Sequence, residues 1–121
     1  IKPKQFDESK INDELILKRA RHVITENARV LEAKGCILNK DIKSFGKLMN
    51  ESHQSYSKDF EASTEDVDLI VERSNTSGAE GARLTGGGFG GFTVSLIHKN
   101  NYDEWQKNMI KYYDNKNIFE V

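Results

Sequence analysis

The sequence predicts an α+β domain, with helices packed on one side of a small antiparallel sheet. Three observations carry this. Apolar residues recur at helical spacing as far as Gly78. The period then changes to alternation in two stretches rich in β-branched and aromatic residues, "ARLT" and "FTVSLI". Between them lies a cluster of glycines, which suits a tight connection between strands.

In chain order, residues 1–10, "IKPKQFDESK", contain the only proline and show no period, so they are read as an arm or linker, with the domain at 11–121. Residues 12–34 form a long helix with Ile16, Ala20, Val23, Ile24, Val30 and Leu31 on its apolar face, ended by Gly35. A second helix covers about Asp41 to Tyr56, with an inward stripe of Ile42, Phe45, Leu48, Met49, Ser52, His53 and Tyr56. A third begins after Ser63 as N-cap, with Asp66 three residues on, and buries Val67, Ile70 and Val71 before Gly78 stops it. The two strands and their glycine connection follow. A fourth helix starts at Asn101 and places Trp105, Met109, Tyr112 and Tyr113 on one face. "IFEV", at the end, reads as a closing strand, giving the three strands a stable small sheet needs.

The 121 residues suit one domain with a modest core, and 36% hydrophobic with 31% charged residues is globular. A net charge of -1, with signs interspersed, gives no reason to expect nucleic acid or an acidic membrane as partner. No apolar run approaches a membrane span and no secretory signal is evident, so the expected compartment is cytoplasmic. Cys36 is the only cysteine, and His22, His53 and His98 are scattered, so no zinc-type ligand spacing exists and no metal ligand is assigned.

Side chains with chemical potential have structural readings. His53 beside Ser52 and Ser55 shows no orienting acid in sequence, so a buried histidine with satisfied nitrogens is expected rather than a base–nucleophile pair. His22, Glu26 and Arg29 follow a helical ladder that supports the fold or meets another domain. Asp66 and Asp68 suit the dipole and cap of a helix start.

The glycines demand more. Five of the six positions 86–91 are glycine, namely Gly86, Gly87, Gly88, Gly90 and Gly91. Gly86, Gly88 and Gly91 match G-x-G-x-x-G by spacing, but that fingerprint requires a helix next, and a strand follows. A P-loop lacks its lysine here, and the protein-kinase glycine loop lacks its H-R-D and D-F-G companions. A bare hairpin turn needs two or three glycines. The excess favours a loop whose N–H groups face an anion or a neighbouring loop. Arg83 and Thr85 stand just before it, although Arg83 equally suits an ordinary ion pair.

"GARLTGGGFGGFTVSL" resembles the third motif of the GHMP kinases, the small-molecule kinase superfamily. "KRARHVITENARV" at 18–30, "FGKLMNESHQSYSKDFEAS" at 45–63 and "DVDLIV" at 66–71 resemble its galactokinase branch in order and spacing. The resemblance covers roughly residues 15–121. It implies a ferredoxin-like C-terminal domain and ATP- and Mg²⁺-dependent phosphorylation of galactose at the C1 hydroxyl. It places Gly86, Gly87, Gly88, Gly90 and Gly91, with Thr85, beside the nucleotide-phosphate loop. Phe92 stands where the family often has Cys, a change expected to affect packing alone. The family's sugar-binding first motif, its ATP-cradling second motif and its acting Asp have no counterpart in these residues. The resemblance therefore implies a C-terminal segment whose partner is the missing N-terminal half, inactive alone and with no catalytic residue of its own. A non-catalytic galactokinase-like sensor and an N-acetylgalactosamine kinase share the same third motif.

Overall fold

The computed structural model describes residues 1–86 and 91–121. Helix α1, Glu14–Leu38, opens on Asp13, whose carboxylate accepts the Leu15 and Ile16 N–H groups. It runs through Gly35 and ends at Asn39. Gly35 was expected to stop it, but the reversal comes later, where Lys40 takes φ +56° and Asp41 caps the next helix. Helix α2, Ile42–Lys58, therefore folds straight back along α1. Helix α3, Glu65–Thr76, is capped by Thr64, which accepts the Val67 N–H, and not by Ser63. It stops ahead of Gly78, whose φ of +115° suits only a residue without a Cβ.

Strands β1, Gly81–Thr85, and β2, Phe92–Leu96, pair antiparallel with Ala82 opposite Ser95 and Thr85 opposite Phe92. Helix α4, Tyr102–Met109, is shorter than its apolar pattern suggests. Asn101 makes no side-chain cap there. Among the described residues the sheet has two strands. Ile118–Val121 follow a 3-10 turn at Asn115–Asn117 and pair with neither, which corrects the expected closing strand.

The architecture is α+β: four helices packed on a two-stranded antiparallel sheet. Leu48, Met49, Val67, Val71, Ala82, Leu84, Trp105 and Met109 make the core between α2, α3, α4 and the sheet. Helix α2 crosses the start of β1 at backbone contact. A Cβ on Gly46 would overlap the Glu80 carbonyl, and one on Gly81 would overlap the backbone of Gly46. Tyr112, expected in the core, is exposed and carries the Arg73 guanidinium 4.0 Å above its ring.

Helix α1 inverts the expectation drawn from its pattern. Of the predicted apolar face only Ile24 is buried, whereas Ile16, Val23, Val30 and Leu31 are 52% to 73% exposed. The side turned toward α2 is the polar ladder. His22 Nδ1 lies 2.8 Å from Ser55 Oγ, and Ser52 Oγ donates to both oxygens of Glu26. Arg29 donates to Glu26 and Thr25. Arg21 ties the helix to Glu8 of the first ten residues and to Asp59 past the end of α2.

Candidate functional site

The glycine stretch connects the paired ends of β1 and β2, where Thr85 stands opposite Phe92. Thr85 is exposed at the end of β1, and Gly86 turns the chain with φ +74°. Among the described residues no heavy atom stands within 4 Å of where a Gly86 Cβ would lie, so the constraint there is the dihedral angle. Gly91 is exposed immediately before β2. Gly87, Gly88 and Gly90 lie outside the described residues.

What holds the hairpin is a set of buried polar contacts from α2. The Ala82 N–H donates to Asn50 Oδ1 at 2.9 Å, and the Leu84 N–H donates to His53 Nδ1 at 3.1 Å. Asn50 also accepts from Asn75 of α3. His53 is 1% exposed, and its Nε2 lies 2.8 Å from Asp68 Oδ1. Because a backbone N–H can only donate, His53 Nδ1 must carry its lone pair and the ring proton sits on Nε2. Ser63 donates to the same Asp68 oxygen and Ser57 to the other. Burial alone would raise the Asp68 carboxyl, but the hydrogen bonds from Ser63, His53 and Ser57 outweigh it and hold it below its ordinary value.

His53 is thus the satisfied core histidine expected, with one correction. It does have an orienting acid, supplied by the α3 start that the sequence read as a simple cap. The arrangement still makes no nucleophile. Ser52 is engaged by Glu26, Ser55 faces His22, and both His53 nitrogens are taken. Sequence reasoning missed Asn50, which carries no signal beyond its place one turn before His53 on α2.

Arg83 leaves the turn. Its Nη1 approaches Glu26 at 3.8 Å, its Nε donates to the Leu84 carbonyl, and its guanidinium sits 5.0 Å from the centre of the Tyr56 ring. It therefore contributes anchorage rather than a charge projecting beside the glycines. Phe92 is 72% exposed, where its packing was expected to matter. His22, enclosed by Tyr56, Phe60 and Ser55, is held below its ordinary value first by burial, with Glu26 opposing and Arg29 reinforcing.

Two open grooves flank α1. One of about 460 Å³ is lined by both signs of charge, among them Arg29, Lys47, Glu51 and Asp59. The other, about 500 Å³, runs along Leu15, Ile16, Ala20 and Val23. Neither is lined by Thr85, Gly86 or Gly91. Among the described residues no three His, Cys, Asp or Glu side chains converge as metal ligands, and no helix is long and apolar enough to cross a membrane.

The family model described as GHMP kinases C terminal matches residues 33–115. The chain is 41% identical over 119 residues to a galactokinase of Clostridium acetobutylicum, covering 96% of this chain and 31% of the relative. It is 40% identical over 111 residues to a galactokinase of Staphylococcus carnosus, covering 91% and 29%. Its fold superposes with a TM-score of 0.78 on the crystal structure of Lactococcus lactis galactokinase complexed with galactose, at 31% identity, across 88% of this chain and 30% of that one. The chain therefore spans about 30% of the length of the galactokinases it matches.

Proposed function

Because this chain belongs to the GHMP kinases, as their C-terminal domain, we propose that it is the C-terminal segment of a galactokinase, which phosphorylates galactose at its C1 hydroxyl with ATP. The observation that carries the reading is the glycine hairpin. "TGGGFGG" connects two paired strands, and the Ala82 and Leu84 N–H groups of the first are secured by Asn50 and His53 of α2. Phosphoryl transfer relies on positioning and on stabilising charge, and fixed N–H groups perform both for phosphate oxygens.

The described residues fit that ligand on one side. Thr85 is exposed and carries a hydroxyl, and Gly86 and Gly91 are exposed. With Gly87, Gly88 and Gly90 they form the stretch assigned to the nucleotide phosphates. Mg²⁺ would come with the nucleotide and neutralise phosphate charge, and no residue of this chain is assigned to hold it. The acting acid or base also lies in the remaining part of the polypeptide, so the segment alone has no turnover. Residues 11–121 are assigned as the domain and 1–10 as its arm, in a cytoplasmic enzyme. The exposed apolar side of α1 is where the N-terminal half packs.

A coupled ATP-consumption assay with galactose, on the full-length parent and on this chain in parallel, tests the reading. Turnover in the parent alone is the expected result. Turnover by the pure chain contradicts it. Binding of galactose and ATP by the parent without turnover would make the protein a sensor instead.

A further inference from the structure

We infer that His53 is a positioning residue for the end of β1, where the chain enters the glycine stretch, acting through the Leu84 N–H while Asp68 fixes its tautomer. The inference rests on the reading of that turn as part of a phosphate site. It begins with the free side of β1. A strand has N–H groups on both edges, and β2 covers one edge of β1. On the other edge the N–H groups of Ala82 and Leu84 go to side chains of α2, Asn50 and His53. These two are three residues apart on a helix, about 4.5 Å of rise, and their targets are two apart on a strand, about 6.8 Å. Two side chains thus stand in for a neighbouring strand, and the imidazole supplies the extra reach at the end nearer the turn.

The two contacts are not equivalent. Asn50 secures Ala82, beside the Gly46–Gly81 crossing, where backbone contact already leaves no freedom. His53 secures Leu84, one residue before Thr85 and two before Gly86. Beyond Leu84 the strand is exposed, so this is the last buried hold on the entry to the turn. An imidazole with its proton on Nδ1 would set N–H against N–H and release it. Asp68 prevents this by accepting the Nε2 proton, and Ser57 and Ser63 keep the carboxylate in place.

The geometry separates two conservative variants. His53→Asn keeps an acceptor near the Nδ1 position and loses the reach to Asp68. His53→Gln keeps the reach to Asp68 and loses the acceptor for Leu84. A residue that merely fills the core would respond similarly to both.

The test is nitrogen and proton NMR on the isotopically labelled full-length parent. In the parent sequence an unprotonated Nδ1 coupled across the hydrogen bond to the Leu84 amide is expected. His53→Gln is expected to speed Leu84 amide exchange about tenfold and to shift the Gly86 and Gly91 amides, while His53→Asn leaves both near their original values. A proton on Nδ1, an absent coupling, or equal responses in the two variants would overturn the inference. Sodium tripolyphosphate is then added as a probe of the turn itself. If the ring signature and the variant contrast hold but tripolyphosphate leaves Gly86 and Gly91 unmoved in a full-length parent, positioning by His53 stands and the phosphate reading fails.

Discussion

The outer side of α1 and the junction of α2 with β1 reverse the usual relation between polarity and burial. Seven apolar side chains on α1, Leu15, Ile16, Val23, Val30, Leu31, Ile37 and Leu38, are more than half exposed. In and around the junction, Ser52, His53 and Ser55 of α2 and Ser74 of α3 are buried. The difference lies in partners. Each buried polar group has a hydrogen bond within the chain, which removes most of the desolvation cost of about 1–3 kcal/mol per group. The α1 leucines and isoleucines have no cover among the described residues, although burying each would contribute about 1.5–3 kcal/mol. The junction is a finished interior, and the α1 face is left uncovered by the described residues.

The strongest challenge to that contrast is a methyl group at the crossing. Gly46→Ala places a Cβ on the Glu80 carbonyl, and α2 must separate from β1. A loss of about 3 kcal/mol in urea unfolding is expected. A loss below about 0.5 kcal/mol would mean that the junction is loose. Ser74→Ala is next. Ser74 is fully buried, accepts the Trp105 indole N–H at 3.0 Å and lies 2.6 Å from Ser95 Oγ. Its removal strands both partners, and about 2 kcal/mol should be lost by the same measurement.

The pH dependence sharpens the comparison from the α1–α2 side. His22 is lowered below its ordinary value of 6.5 in the folded chain, so the unfolded chain binds the proton more tightly. Stability is fully present above that value and falls as pH drops below it, by at most about 1.4 kcal/mol per pH unit. His22→Asn keeps a polar atom toward Ser55 without titrating there, and unfolding measured from pH 7 to pH 5 should lose that slope.

Gly35→Ala tests the glycine within α1. It sits inside the helix with open space where a Cβ would lie, so a gain of about 0.5–1 kcal/mol is expected. The smallest effect belongs to the outer face. Leu31→Lys should change the stability of this chain by less than about 0.5 kcal/mol while reducing self-association in light scattering.

The same contrast explains what the sequence could convey. Helical spacing located α2 and α3, and the change of period located the hairpin, because those signals are local and Leu48, Met49, Val67, Val71 and Leu84 are buried within the chain, although Ile42 of the expected stripe is exposed. On α1 periodicity marked an apolar face correctly but could not say what covers it. The inward role of Glu26 and Arg29 depends on Ser52 and on the short reversal at Asn39–Asp41. Asp68 was visible as an acid near a helix start, but its bond to His53 exists only once α2 and α3 pack. The same holds for Asn50 and the Ala82 amide. The end of α1 and the unpaired Ile118–Val121 depend on chain reversal and strand pairing, which short apolar runs do not encode. For the glycine stretch, the following strand, the missing lysine and the missing companion motifs rejected three nucleotide motifs, and the longer string and its flanks supplied the family.

The most direct measurement is steady-state kinetics of Gly86→Val in the full-length parent, with ATP and galactose varied separately and unfolding followed alongside. A glycine at φ +74° penalises a β-branched residue through the backbone. If the turn presents N–H groups to the nucleotide, kcat/KM for ATP should fall about 100-fold, with the KM for galactose nearly unchanged. Unaltered ATP kinetics in a folded variant would contradict the assignment of the turn to the phosphates.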